Sequence, residues 1–138
     1  MELRLALDIV SATIAEARKR GARPLSVVVL DAGGNVVTCA REDGAGIGRL
    51  QLAHGKAWGS LGLGFGSRTL SERVAGAPSF FAAAASLYDG KLLPSPGGIL
   101  IRRGDELLGA MGVSGDTGDV DEACGIAALT AHGLDHQS

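Results

Sequence analysis

The chain opens with a helical repeat of apolar residues. Leu3, Leu7, Val10, Ile14 and Ala17 recur every three or four positions, while Glu2, Asp8, Glu16, Arg18 and Lys19 fall mostly on other faces. That spacing predicts an amphipathic first helix with one face turned to a core. Gly21 is placed to close it in a left-handed conformation, and Pro24 blocks any continuation. The period then shortens. The valine-rich run Leu25–Leu30 and the run Val36–Arg41 flank Asp31-Ala-Gly-Gly-Asn35, which predicts two strands joined by a turn that leaves their register open.

After the polar loop Glu42–Gly48, a second helix is predicted over Arg49–Leu61. Its stripe is Leu50, Ala53 or His54, Ala57 and Leu61. Gly55 and Gly59 interrupt it at about 1 kcal/mol each relative to alanine, so they predict close packing against another backbone or a ligand. Gly62, Gly64 and Gly66 read as a flexible bridge, followed by short helices at Thr69–Val74 and Pro78–Tyr88. Pro78 suits a first helical turn.

The stretch Pro96–Glu122 is the richest. Ile99–Ile101 and Leu107–Val113 flank the polar break Arg102–Glu106, a second hairpin. Its later strand runs into Ser114-Gly-Asp-Thr-Gly118 and a helix from about Val120 to His132, with Asp119 and Glu122 at capping-box spacing. Exposed N–H groups at such a terminus attract anions, so a ligand carboxylate or phosphate is expected there. Two hairpins among helices predict an α+β fold, an antiparallel sheet covered by helices, with Lys91–Leu93 a candidate fifth strand. A length of 138 residues fits a single domain spanning 1–138.

Composition narrows the function classes. Aromatics make up only 4%, so the core must come from Ala, Val, Leu and Ile. A net charge of −2, with Lys and Arg scattered, leaves no basic face for nucleic acid. No run of about 18 apolar residues is present, so no membrane span is expected. Glu2, Arg4 and Asp8 break the N-terminal apolar stretch, unlike a signal peptide, and a cytoplasmic protein is expected. Cys39 and Cys124 belong to no C-x-x-C pair and are expected to be reduced, packed thiols.

Several features carry candidate chemistry. Gly62-Leu-Gly-Phe-Gly66 lacks the spacing and strand context of a dinucleotide site. His54 is a candidate metal or haem ligand, or a base near neutral pH, whereas His132 and His136 lie at an end expected to fray. Asp116, Asp119, Asp121 and Glu122 could hold a hard cation, but a helix N-terminus favours acids without any ligand, and no metal site is assigned. Arg41, Asp43, Lys56 and Arg68 are charges beside glycine-rich loops, suited to clamping carboxylates. No arrangement typical of a nucleophilic triad is present.

Taken in order, a set of motifs resembles the GlcG/HbpS-like haem-binding family, whose domain also forms the C-terminus of PduO-type proteins. They are Val29-Leu-Asp-Ala-Gly33 with Asn35-Val, Arg41-Glu-Asp-Gly-Ala45, Gly55-Lys56-Ala57, Gly66-Ser-Arg-Thr-Leu70, Pro96-Gly-Gly-Ile99, Gly109-Ala-Met-Gly-Val-Ser-Gly115 and Asp121-Glu122. The similarity runs nearly end to end. It implies a five-stranded antiparallel sheet flanked by helices, and homo-oligomers from dimers to octamers. Some relatives bind haem or iron, and most have no established reaction.

Two functional readings stay open. In the first, the protein is an oligomeric small-ligand-binding module for haem or a related tetrapyrrole. Its pocket would lie around His54, the Arg41–Ala45 loop and the last helix, with Arg41 or Arg68 for the propionates. In the second, it is an enzyme of isomerase, tautomerase or hydrolase type acting on a small carboxylate. Ser114 and its loop would hold the anion, Lys56 or Arg41 would assist, and Asp43, His54 or Glu122 would shuttle a proton. Oligomerisation is expected separately, from Leu61, Leu63 and Phe65 beside a glycine-rich helix.

Overall fold

A computed structural model describing residues 1–138 places the first apolar stripe on helix α1 (Leu3–Arg20). Ala6, Ile9, Val10, Thr13 and Ala17 are its buried face, and Gly21 ends it at φ 65°. Strands β1 (Ser26–Asp31) and β2 (Val36–Arg41) pair antiparallel, with a bulge between Val29 and Leu30. Asp31 organises their turn: its Oδ1 accepts the N–H groups of Gly33 (2.9 Å) and Asn35 (3.0 Å).

Strands β3 (Gly98–Arg103) and β4 (Glu106–Ser114) meet through the two-residue loop Gly104-Asp105, with Gly104 at φ 58°. A glycine in the first central position suits the twist of such a hairpin. The sheet has five strands in the order β2-β1-β4-β3-β5, and every neighbouring pair is antiparallel. The fifth strand is not at Lys91–Leu93. It is β5 (Asp135–Gln137), paired with β3, so His136 sits opposite Ile101 rather than in a frayed tail. All three residues of β5 are exposed. Main-chain pairing to β3, with Asp135 Oδ2 accepting the Gly104 N–H (2.9 Å), holds this strand, which leaves no hydrophobic alternation to read. Leu92 packs instead into an apolar cluster with Leu70, Phe81 and Ala84.

The sheet is covered on both faces. Val27, Val29, Ile99, Ile101, Met111 and Val113 face a core shared with α1 and with α5 (Gly118–Ala131). Val28, Leu30, Leu100 and Ala110 face Ala53 and Ala57 of α2 (Arg49–Leu63). Two-sided burial explains why the central strands read as continuous apolar runs. Helix α2 lies directly on the sheet because two strand residues have no side chain: a Cβ at Gly98 or Gly112 would strike the carbonyl of Lys56 or Ala53.

Of the helix glycines, Gly59 makes the close approach expected of it, within 3.1 Å of Leu92 Cα if a Cβ were added. Helices α3 (Ser67–Arg73) and α4 (Pro78–Leu87) follow, joined by a 3-10 turn. Gly66, expected in a flexible bridge, is buried against the backbone of Ser138. Leu61, Leu63 and Phe65 are half-buried and pack within the chain, so they do not form the outward surface expected of them. Helix α5 is capped by Thr117, whose Oγ1 accepts the Val120 N–H, not by Asp119.

Candidate functional site

Two places gather the predicted site residues. The first is the polar junction where β4 ends and α5 begins. Lys56 reaches through from α2, only 3% exposed, and donates to the Val113 carbonyl (2.8 Å) and to Asp121 Oδ2 (3.0 Å). Burial pushes its ammonium pKa below the usual lysine value, and Asp121 opposes that shift. Ser114 Oγ accepts from Arg49 (3.3 Å). Arg68 donates to Glu122 Oε1 (2.9 Å) and to Asp119, and these two bonds, Asp119's first, raise its pKa further.

Three of the backbone donors around the start of α5, where a ligand anion was expected, are taken by the chain itself. The N–H of Asp116 goes to Asp121, that of Thr117 to Asp116, and that of Val120 to Thr117. Asp116 also accepts the Arg23 N–H at 2.7 Å, the main cause of its lowered pKa. The acidic cluster is therefore occupied by the chain's own donors. Glu122 Oε2 is buried without a partner, and no cavity opens beside it.

The second place is a cleft of about 390 Å³ on the opposite edge of α2. Leu50, Gln51, His54 and Gly55 line it from one helical face, Val28 and Val36 from β1 and β2, and Asp89-Gly90-Lys91 from the segment after α4. Cys39 completes the wall; it pairs with Val28 across the β1–β2 ladder, so both side chains turn toward α2. Cys39 is exposed, contrary to the expectation of a packed thiol, because β2 is an edge strand. Cys124 is buried, and desolvation raises its thiol pKa.

His54 is half-buried in this cleft. Desolvation, helped by the Lys91 charge, lowers its pKa below 6.5 and keeps the imidazole neutral near neutral pH. Lys91 Nζ lies 5.3 Å from the centre of the Trp58 ring, and Trp58 packs edge-on against Tyr88. The cleft wall differs from the expected one, since neither the Arg41–Ala45 loop nor α5 contributes to it. Arg41 binds the Ala45 carbonyl within its own loop (2.7 Å), and Asp43 is exposed. The structure thus joins Lys56, Ser114, Arg68 and Glu122 at the α5 junction, places His54 in the cleft, and leaves Arg41 and Asp43 apart from both. Lys91, Asp89 and Cys39 were not legible as site residues. The turn signal Asp89-Gly90 marks a helix end, but nothing local brings it against α2.

A family model described as "Haem degrading protein HbpS-like" matches residues 1–130. The chain belongs to the HbpS-like family. Among solved structures similar to this HbpS-like chain, a PduOC–haem complex superposes with a TM-score of 0.89 at 24% identity, covering 100% of this chain and 99% of that one. Klebsiella pneumoniae protein ORFY gives 0.87 at 23% identity, covering 96% and 90%. A double mutant of Streptomyces reticuli HbpS gives 0.82 at 28% identity, covering 95% and 86%. At their identities the first two establish the shared fold. No curated protein matches the chain significantly. No helix of this HbpS-like protein is long and apolar enough to cross a membrane.

Proposed function

We propose that this protein binds haem or a related tetrapyrrole in the cleft between α2 and the β1–β2 hairpin, with His54 as axial ligand. The observation that carries this reading is His54 itself: a half-buried, neutral imidazole in a cleft walled by Val28, Val36 and Leu50. Haem needs an apolar face, a nitrogen donor free of its proton and a cation for its propionates. The cleft has the first two in Leu50, Val28 and His54, and the third in Lys91. Its volume falls in the range of roughly 300–1,000 Å³ common to small-molecule pockets. The family description names haem, and a structural relative was solved with haem bound. Bound haem would supply a redox-active iron, chemistry that no side chain here offers.

In this reading Lys56 ties α2 to α5, the Arg68–Glu122 pair ties α3 to α5, Ser114 anchors Arg49 of α2 to the end of β4, and none of them touches the ligand. The alternative, an enzyme acting on a small carboxylate, draws less support. Three donors of its anion site at the start of α5 are engaged by Asp116, Asp121 and Thr117, and Lys56 is sealed from solvent. Self-association belongs to the proposal on a new basis: Ile47 (94% exposed), Leu87 (82%) and Phe80 (57%) are apolar groups left in solvent. Sedimentation at micromolar concentration is expected to show a species larger than the monomer.

Titration with haemin, followed by absorbance, tests the main reading. A saturable, stoichiometric Soret shift is expected for the native protein, with a displaced or absent band for His54→Ala. No saturable shift, or an identical one in the variant, would overturn it.

A further inference from the structure

The geometry points to Lys91 as the residue that selects an acidic ligand in this cleft, by taking a carboxylate of the bound molecule. The inference rests on the haem reading, in which that carboxylate is a propionate.

Among the residues lining the cleft, Lys91 is the one cation. Other cations near the earlier candidate sites are spoken for. Lys56 is paired with Asp121, Arg68 with Glu122 and Asp119, Arg49 with Ser114, and Arg41 with the Ala45 carbonyl. Lys91 is in no ion pair and its ammonium makes no hydrogen bond; it stands 5.3 Å from the centre of the Trp58 ring. A contact of that kind holds an ammonium in place at an exposed site for only about 0.5–1 kcal/mol, so it is easily exchanged for a carboxylate partner.

Backbone geometry sets where the ammonium stands. Asp89 (φ 52°) and Gly90 (φ 75°) turn the chain out of α4, and the Lys91 N–H donates to the Tyr88 carbonyl at 3.0 Å. The Lys91 carbonyl lies against Gly59, where a Cβ would come within 3.2 Å of it. The main chain of Lys91 is therefore pinned to α2 while its side chain stays half-buried at the cleft. Its charge reaches the His54 ring, which it helps keep neutral, so cation and imidazole share one space. Asp89 lines the same cleft but is exposed and unpaired with Lys91, so it leaves the ammonium without an internal counter-ion. A flat apolar molecule bearing an acid group completes this arrangement: the body on Val28 and Leu50, the donor from His54, the acid at Lys91.

The test compares haemin with haemin dimethyl ester, whose propionates carry no charge, on the native protein, Lys91→Gln, Lys91→Arg and His54→Ala. The native protein is expected to prefer the free acid by about tenfold, the scale of one partly solvated charged contact. Lys91→Gln should bind both forms alike, Lys91→Arg should retain the preference, and the His54-dependent Soret band should persist in both Lys91 variants. An unchanged acid-to-ester ratio in Lys91→Gln, with that band intact, overturns the role of Lys91 and leaves the haem reading standing. Absence of saturable binding by either form in the native protein overturns both.

Discussion

Lys56 of α2 and Asp121 of α5, 65 positions apart, meet at 3.0 Å with side chains 4% and 1% exposed. A buried pair of this kind is weak evidence of net stability, because two desolvated ions roughly offset their attraction. Its effect is on position: α2 and α5 cover opposite faces of the sheet, and this contact ties them at the end of β4. Removing one partner strands the other charge. Asp121→Asn or Lys56→Met is expected to cost about 3–5 kcal/mol in urea unfolding. The double variant should lose clearly less than the sum of the two. Additive losses would show that the ions act independently.

Haem affinity should follow the protonation of His54. Because its pKa lies below 6.5, affinity is expected to stay flat from neutral pH down to about 6.5 and to fall at lower pH. Stability changes in the same direction. Between the lowered value and 6.5 the unfolded chain binds more protons than the folded one, so acid removes stability across that window. In His54→Gln the corresponding slope should disappear. Spectrophotometric titration at a series of pH values checks the binding, and thermal melts check the stability.

The β1–β2 turn makes a separate acid-sensitive contribution. Hydrogen bonds, chiefly from the Asn35 backbone N–H and then its side chain, lower the Asp31 pKa. That contribution is complete above the ordinary carboxyl value and is lost as pH falls through the lowered one. Native protein should therefore melt above Asp31→Asn at neutral pH, and the gap should close in strong acid. A gap that persists there would point to shape rather than charge.

Gly112→Ala tests the contact that seats α2. The added methyl would overlap the Ala53 carbonyl, so the helix must lift from the sheet. Overpacking of this kind costs about 1–3 kcal/mol. Denaturant midpoints should fall accordingly, and haemin affinity should fall with them, since α2 carries His54. Gly64→Ala meets no neighbouring atom and so separates crowding from strain, although its φ of 80° makes it imperfectly neutral.

The two thiols should report the cleft directly. Cys39 is expected to react with a thiol reagent in the native protein, while Cys124, buried and with its pKa raised, reacts only on unfolding. Haemin should slow the labelling of Cys39. Equal labelling rates with and without saturating haemin would place the ligand elsewhere.

Much of the fold could be read from local pattern, and for physical reasons. Helix α1 announced itself because one face is buried and the other solvated, and Gly21 because its left-handed backbone suits no other residue as well. The two hairpins were visible as apolar runs broken by turn residues. Strand β5 was hidden: its pairing uses backbone groups that every residue carries, and its side chains Asp135, His136 and Gln137 are all exposed. The cap of α5 was misplaced by two residues because Thr117 and Asp119 are both fit for the task, and only the path of the chain chose between them.

Local pattern was enough to specify the helices, the two hairpins, the antiparallel α+β class and, through its ordered motifs, the resemblance that the family match bears out. It also singled out His54, since composition left few other donors. Tertiary structure decided which charges are free. Lys56, Arg68 and Ser114 looked available on the page of letters but are held by partners dozens of positions away. Lys91 looked ordinary, yet it stands unpaired beside the His54 ring. Side-chain type sets what a residue can do, while its neighbours in space set whether that capacity is already consumed, and those neighbours come from the sheet order and from glycines that let α2 lie against it.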